Sequence, residues 1–163
     1  MRLETEIGGI FRERGLSISV AESCTGGLIG NLITNVPGSS LYFLGGVIVY
    51  SNSSKVDLLH VSPGTIEKYG AVSRQTVEEM AGGVKHLFDS SLGLAVTGIA
   101  GPDGGTKEKP VGTVFIGLAV EKDIFSEGYR FQGSRKQIKE KTAEAALLWV
   151  KRYLYGDSFI PGL

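Results

Sequence analysis

Two hydroxyls and a thiol follow one another at Ser23, Cys24 and Thr25, in a small-residue turn between an apolar segment and a helix-like segment. A turn that opens a helix places its hydroxyls near free backbone N–H groups and the positive end of the helix dipole. A serine at such a position attacks a carbonyl group if a neighbouring base takes its proton. The pattern therefore predicts a nucleophile, an anion site or both, although serine and threonine also commonly cap helices without any chemistry.

Neither histidine of the chain is an obvious base for activating Ser23. The chain has two, His60 and His86, and their predicted positions at a helix end and on a helix surface indicate neither a base nor a metal ligand. Lys55 follows Tyr50, a residue that could orient a substrate or relay a proton. A lysine desolvated in a pocket has a lowered pKa and can accept a proton. A solvated surface lysine is the alternative, and the spacing leaves both open.

Cys24 is a rival nucleophile, because a thiol near a helix N-terminus can have a lowered pKa. A single free cysteine is also often a small buried hydrophobic residue.

The glycine-rich segment 97–106 suits a nest of backbone N–H groups for a phosphate or an oxyanion, or else a plain connecting loop. It matches neither a P-loop nor a dinucleotide-binding fingerprint.

Length, charge and composition restrict the class of protein. The 163 residues fit one domain with a substantial core, and 17 basic against 17 acidic residues leave no basic surplus for nucleic-acid binding. One cysteine excludes an internal disulfide and fits a reducing compartment. No signal peptide is evident, and no apolar run approaches the ~18 residues of a membrane span. We expect a cytoplasmic protein without nucleic-acid or membrane partners.

Hydrophobic periodicity and capping signals predict an alternation of helices and strands. The predicted helices cover 2–14, 25–35, about 52–60, 62–69, 74–88 and 135–154, and the strands 16–21, 41–50, 91–97, 111–120 and 124–131. Strand 41–50 is predicted to be buried, with its two glycines marking a bulge. The last two strands form a predicted hairpin. This order favours a single three-layer α/β/α domain with a mixed β-sheet.

Four motifs occur together in the chain and carry a family resemblance. They are Ala21-Glu22-Ser23-Cys24-Thr25-Gly26-Gly27, Gly45-Gly46 with Tyr50-Ser51-Asn52 and Lys55, Gly70-Ala71-Val72-Ser73, and Thr97-Gly98-Ile99-Ala100-Gly101-Pro102 followed by Lys109-Pro110-Val111-Gly112-Thr113-Val114. With this ordered set the chain resembles the CinA carboxy-terminal-domain family from about residue 3 to 154. The resemblance implies a stand-alone form, without the amino-terminal nucleotide-hydrolase domain of longer relatives.

The resemblance implies an amidohydrolase of pyridine-nucleotide recycling. Its substrate would be the carboxamide of nicotinamide mononucleotide, and its products nicotinic acid mononucleotide and ammonia, with no metal or other cofactor. Carried over by motif, Ser23 would be the nucleophile and Lys55 its base, with Tyr50 beside them. The substrate-binding residues would be Thr25, Gly26, Gly46, Thr97, Gly98, Ile99, Ala100 and Gly101, with Arg135 as a candidate for the 5′-phosphate.

Two departures from the family pattern fall near the substrate-binding residues. Ser134 stands where many relatives have aspartate, and Lys139 stands where arginine is frequent; lysine cannot make the bidentate contact of arginine. A non-catalytic nucleotide-binding or interaction module and a hydrolase of another small amide remain alternatives. We also expect a homo-oligomer, a dimer by preference, with the apolar segments 41–50 and 159–163 as candidate contacts.

Overall fold

The computed structural model describes residues 1–157, in which six α-helices and five β-strands alternate much as predicted. In chain order they are α1 (Leu3–Arg14), β1 (Ile18–Glu22), α2 (Leu28–Thr34), β2 (Phe43–Ile48), α3 (Asn52–Leu59), α4 (Pro63–Tyr69), α5 (Arg74–Phe88), β3 (Leu92–Gly98), β4 (Thr113–Val120), β5 (Asp123–Arg130) and α6 (Arg135–Leu154). A short 3-10 helix, Ser39–Leu41, precedes β2.

The five strands form one mixed sheet in the order β2-β1-β3-β4-β5. β1 pairs in parallel with β2 and β3, whereas β3, β4 and β5 pair antiparallel in sequence. Helices α1, α2 and α6 contact one another, while α3 and α4 pack against α5. The predicted single α/β domain with a mixed sheet is therefore confirmed.

Each helical layer encloses its own apolar core. One core joins the sheet to α1, α2 and α6 and contains Phe11, Ile29 and Trp149. The other joins the opposite face to α5 and to the segment after β2, and contains Val49, Leu59 and other buried side chains. Because β1, β2 and β3 run parallel, their carboxyl ends meet at one edge of the sheet, which is where sites form in open α/β sheets.

The structure corrects the prediction that the second strand is buried. β2 is an edge strand, and Leu44 and Ile48 are 45% and 55% exposed. The predicted bulge is present, because Ile18 pairs with Phe43 while the next residue of β1 pairs with Gly45. This extra residue bends the strand and interrupts the regular edge.

The second helix begins later than predicted, at Leu28 rather than at residue 25. Residues 23–27 form a turn first, in which Gly26 and Gly27 adopt φ values of +61° and +102°. This left-handed backbone favours glycine, because a Cβ there is strained. The turn holds the chain between β1 and α2 and contains Ser23.

The segment 159–163 lies outside the described residues, so the predicted dimer stays a prediction that light scattering checks. Of the helices within residues 1–157, none combines the length and the apolar character that crossing a bilayer requires.

Candidate active site

Ser23 lies directly after β1 and is held from both sides of that strand. Its own N–H donates to the carbonyl of Val96 on β3, at 3.2 Å. The carbonyl of the preceding residue, Glu22, accepts from the N–H of Val49, which follows β2, at 2.8 Å. Ser23 is 7% exposed, so its hydroxyl is nearly withdrawn from water.

Lys55 reaches the same point from α3. This helix begins after Ser51, whose hydroxyl accepts from the Ser54 N–H and caps the first turn. Lys55 is only 1% exposed, and its Nζ lies 3.2 Å from the Ser23 Oγ. The same Nζ donates to the carbonyls of Val49 at 2.8 Å and Tyr50 at 3.3 Å. The solvated alternative for Lys55 is therefore wrong.

The partners of Lys55 suit a neutral amine. Burial lowers the pKa of Lys55, with a nearby Cys24 acting weakly in the opposite sense. A neutral amine keeps two N–H bonds and one lone pair. The carbonyls of Val49 and Tyr50 accept two hydrogens from Nζ, and the Ser23 Oγ lies in the third direction, where an ammonium would donate and a neutral amine would present its lone pair. This arrangement lets Lys55 accept the proton of Ser23.

Burial also favours the neutral form of Cys24, but a neutral thiol, unlike a neutral amine, is the unreactive form. Cys24 is a free, buried cysteine, and burial raises its thiol pKa to about 12, with the Glu22 charge adding to the effect. At neutral pH the thiol stays protonated and is a poor nucleophile. A Cβ built on Gly98 would lie 3.2 Å from the Cys24 Sγ, so this sulfur also fills space beside β3.

A small, partly open pocket lies at Ser23, and we call it the nucleophile pocket. Its volume is about 200 Å³, and it is lined by Ser23, Cys24, Tyr50, Asn52, Lys55, Ala71, Val72, Thr97, Gly98, Ala100 and Arg135. The Thr97 hydroxyl donates to the Ala71 carbonyl at 2.9 Å, which ties the end of β3 to the segment before α5. The pocket thus draws on β1, β3, α3 and the start of α6.

A larger and more open cavity of about 610 Å³ adjoins this pocket, and we call it the cationic cavity. It is lined by Thr25, Gly26, Gly27, Leu28, Asn31, Arg135, Lys136, Lys139 and Glu140. The Lys139 ammonium lies 3.6 Å from where a Cβ on Gly26 would stand, three residues after Ser23. Arg135 lines both spaces and donates to the Gly101 carbonyl at 2.6 Å and to the Tyr50 hydroxyl at 3.0 Å.

Some of the predicted binding residues do not face the nucleophile pocket. Gly46 lies in β2, where an added Cβ would meet the Val20 side chain at 2.5 Å, so glycine there permits strand pairing. The Ile99 N–H donates to the Thr113 carbonyl and is not free for a ligand. Gly101 contributes its carbonyl to Arg135.

Sequence reasoning missed the role of Glu22. Its buried carboxylate accepts hydrogen bonds from the hydroxyl of Thr25 and from the N–H groups of Gly27, Ile29 and Gly30. The predicted use of these N–H groups for an external anion is therefore corrected, because an internal carboxylate already accepts from them. An acidic residue closing a buried strand, just before a turn that opens a helix, was the signal available.

The two histidines lie away from the nucleophile pocket. His60 and His86 are both exposed and line a separate shallow groove between α3 and α5. Within residues 1–157 no cluster of three or more His, Cys, Asp or Glu side chains is arranged as metal ligands. Neither histidine can reach the Ser23 hydroxyl as its base.

Comparisons with known proteins agree on one family. The family model described as the CinA C-terminal domain matches residues 1–154. A CinA-like protein of Shewanella amazonensis is 50% identical over 159 residues, which is 97% of this chain and 38% of the relative. A CinA-like protein of Geobacter metallireducens is 47% identical over 152 residues, 93% of this chain and 37% of the relative. The chain thus spans little more than a third of the length of these relatives.

A solved structure supports the same assignment. The competence/damage inducible protein CihA from Agrobacterium tumefaciens superposes with a TM-score of 0.91 at 39% identity, covering 94% of this chain and 93% of that one. A CinA superfamily protein from Klebsiella pneumoniae superposes equally well at 28% identity, covering 94% of this chain and 96% of that one. The chain belongs to the CinA C-terminal domain family.

Proposed function

We propose that this protein is an amidohydrolase that converts nicotinamide mononucleotide to nicotinic acid mononucleotide and ammonia. The observation that carries the proposal is the contact of 3.2 Å between the Lys55 amine and the Ser23 hydroxyl, in a pocket that adjoins a cationic cavity. Burying a lysine costs free energy of folding, because burial disfavours its charged form. A neutral amine that serves as a base is a reason for a protein to keep such a residue. A serine within its reach is the arrangement of an activated nucleophile.

The proposed reaction has two stages. The neutral Lys55 amine takes the Ser23 proton as the oxygen attacks the amide carbon, and the resulting ammonium then protonates the departing nitrogen. Ammonia leaves and an ester to Ser23 remains. Lys55, neutral again, takes a proton from water that attacks this ester, and returns it to the Ser23 oxygen as the acid is released. Protons balance over the cycle, and water is consumed.

The oxyanion of the tetrahedral intermediate needs an N–H donor near Ser23. The Gly26 N–H already donates to the Ser23 carbonyl, and the Gly27 N–H donates to Glu22. The Gly26 amide is therefore withdrawn from that role. Thr25 lines the cationic cavity and not the nucleophile pocket, so the Thr25 amide stays a prediction from the motif.

The two cavities suit the two ends of a pyridine nucleotide. A cavity of ~150 Å³ can hold a benzene ring, so the nucleophile pocket, at about 200 Å³, can admit one aromatic carboxamide. The cationic cavity offers the charges of Arg135, Lys136 and Lys139 to a phosphate monoester. Arg135 borders both spaces, where the linking ribose would lie. Of the predicted phosphate contacts we retain Arg135 and add Lys139, and we leave out the glycine loop.

The test is ammonia release from nicotinamide mononucleotide, in the presence of a chelator, by the natural chain and by Ser23→Ala. We expect release by the natural chain and loss of at least ~10³-fold in the variant. Ser40→Ala, at an exposed serine of the 3-10 helix, is the matched control and should keep full activity.

Other outcomes overturn parts of the proposal. Activity that persists in Ser23→Ala removes Ser23 as the nucleophile. Binding of the nucleotide without ammonia release favours the alternative, a non-catalytic binding module of the same fold. Release of ammonia from another small amide, with none from the nucleotide, would leave the chemistry intact and replace the substrate.

A further inference from the structure

We infer that Glu22 is the positioning residue that holds the Ser23 hydroxyl against the Lys55 amine. It touches neither reacting atom, but it is the point at which the elements carrying both groups are joined. The inference rests on the proposed function, in which these two groups carry the reaction. It adds a residue whose side chain has no part in the chemical steps.

The Glu22 side chain fixes the turn that carries the nucleophile. One carboxylate oxygen, Oε2, accepts from the Thr25 hydroxyl, from the Gly27 N–H at 3.1 Å and from the Ile29 N–H at 3.1 Å. The other, Oε1, accepts from the Gly30 N–H at 2.8 Å. Four donors from residues 25–30 therefore converge on a side chain that is 1% exposed. Hydrogen bonds to a buried carboxylate are charge-assisted and strong, so the turn has little freedom to move.

The Glu22 backbone fixes the base as well. Its carbonyl accepts from the Val49 N–H at 2.8 Å, and the carbonyl of Val49 accepts from the Lys55 Nζ at 2.8 Å. Glu22 thus anchors the Ser23 turn through its side chain, and it anchors Val49, whose carbonyl binds the Lys55 amine, through its main chain. The relative position of the two reacting groups follows from this shared anchor.

The charge of Glu22 is directed at the turn. It contributes to the raised pKa of Cys24, whereas burial is the main cause of the lowered pKa of Lys55. Glu22 also faces the positive end of α2, which offsets part of the free energy of burying the carboxylate. Its removal should therefore displace Ser23 without changing how readily Lys55 loses its proton.

Glu22→Gln tests this directly, because it keeps the size of the side chain and replaces one acceptor oxygen by a donor NH₂. Whichever way the amide is turned, the NH₂ meets at least one of the four N–H or O–H donors. We expect kcat to fall about 100-fold, since displacements near 1 Å reach that magnitude. KM should change less than kcat, because the charged side chains of the cationic cavity come from α6 and not from the turn that Glu22 holds, and the pH dependence of kcat/KM should keep its midpoint.

Two further variants separate positioning from stability. Ser19→Ala removes buried hydrogen bonds to the Val84 carbonyl and to Ser90 from the same strand, away from the pocket. It should lower the melting temperature and leave kcat unchanged. Thr25→Val removes only one of the four donors to Glu22, should fold, and should lower kcat several-fold. This variant keeps the test informative if Glu22→Gln does not fold.

A crystal structure of Glu22→Gln, or of Thr25→Val, supplies a readout that needs no substrate. We expect the Lys55 Nζ and Ser23 Oγ to move beyond hydrogen-bond distance. An unchanged distance, or an unchanged kcat in folded Glu22→Gln, overturns the inference. A natural chain that does not release ammonia overturns the proposed function instead, and the distance in the variant still decides the role of Glu22.

Discussion

The nucleophile pocket and the cationic cavity share Arg135 as a wall but are built differently. The first is smaller and less open, about 200 Å³ in volume, and its two reacting groups are 7% and 1% exposed. The second is more open, about 610 Å³ in volume, and lined by charged residues at the start of α6, three of which, Arg135, Lys136 and Glu140, are exposed. Reaction chemistry benefits from groups whose pKa is altered by burial, whereas recognition of an anion benefits from groups that keep their charge.

Lysine illustrates the difference, because the same residue type serves each region in a different form. Lys55 is enclosed, and burial lowers its pKa. Lys139 borders the open cavity beside Gly26. The account therefore expects changes in the nucleophile pocket to act on kcat and changes in the cationic cavity to act on KM. The following predictions test that division, from the largest effect to the smallest.

Removal of the base should have the largest effect. Lys55→Met preserves most of the side-chain volume but has no amine to accept the Ser23 proton, so we expect kcat to fall about 10³-fold or more. The measurement is steady-state ammonia release. Lys122→Met, at an exposed lysine in the turn between β4 and β5, is the matched control and should be unaffected. If Lys55→Met retains more than a tenth of the activity, Lys55 is not the base.

The pH dependence should report the state of Lys55. Its pKa is lowered from 10.5, and only the neutral amine accepts a proton, so kcat/KM should rise with pH up to that lowered pKa and then level off. Below it, each pH unit should change the rate about tenfold. Profiles measured above pH 7 avoid the second ionisation of the phosphate, near 6. A rate that falls as the pH rises above 7 would contradict a neutral lysine base.

A change in the cationic cavity should alter binding alone. Lys139→Met should raise KM for nicotinamide mononucleotide about tenfold, equal to ~1.4 kcal/mol, and leave kcat unchanged. Nicotinamide riboside, which lacks the phosphate, should show no such change. Lys141→Met is the matched control on the same helix, since Lys141 donates to the Gln132 carbonyl outside the cavity. A loss in kcat, or equal losses for both substrates, would remove the phosphate from this cavity.

The smallest effect is expected at Cys24. Because burial raises its pKa to about 12, the thiol takes no part in the proposed reaction. Cys24→Ala should keep kcat within about threefold, although the lost sulfur leaves a small gap beside Gly98 and lowers the stability by about 1 kcal/mol. Kinetics and thermal unfolding measure the two effects separately. A fall of a hundredfold in kcat would make Cys24 the nucleophile.

The order of helices and strands was readable from the sequence because local signals carry it. The periodicity of α5 and α6 and the serine caps at Ser73 and Ser134 agree with the structure. The exposure of β2 could not be predicted from the sequence. An apolar run such as 41–50 looks the same whether it forms a buried central strand or an edge strand with exposed side chains. Only the strand order shows that β2 has a single neighbour among the strands of residues 1–157.

The residue types of the candidate site could be predicted from the sequence, but the contacts between those residues could not. Ser23 and Lys55 were chosen as residues, but their contact joins positions 32 residues apart and depends on how β1 and α3 pack. Glu22 was overlooked because its four donors are mostly backbone N–H groups, which have no signature in a sequence. Gly46 was included because of its motif, and its tight fit against Val20 shows a role in strand pairing instead.

The central claim is that Lys55 activates the Ser23 hydroxyl, and covalent labelling tests it without any assumption about the substrate. The natural chain and Lys55→Met would each be treated with a small fluorophosphonate, and the modified residue located by peptide mass spectrometry. The account predicts a phosphonyl adduct on Ser23 in the natural chain, formed far more slowly in folded Lys55→Met. Labelling at equal rates in both proteins, or an adduct on Cys24 in place of Ser23, would contradict it.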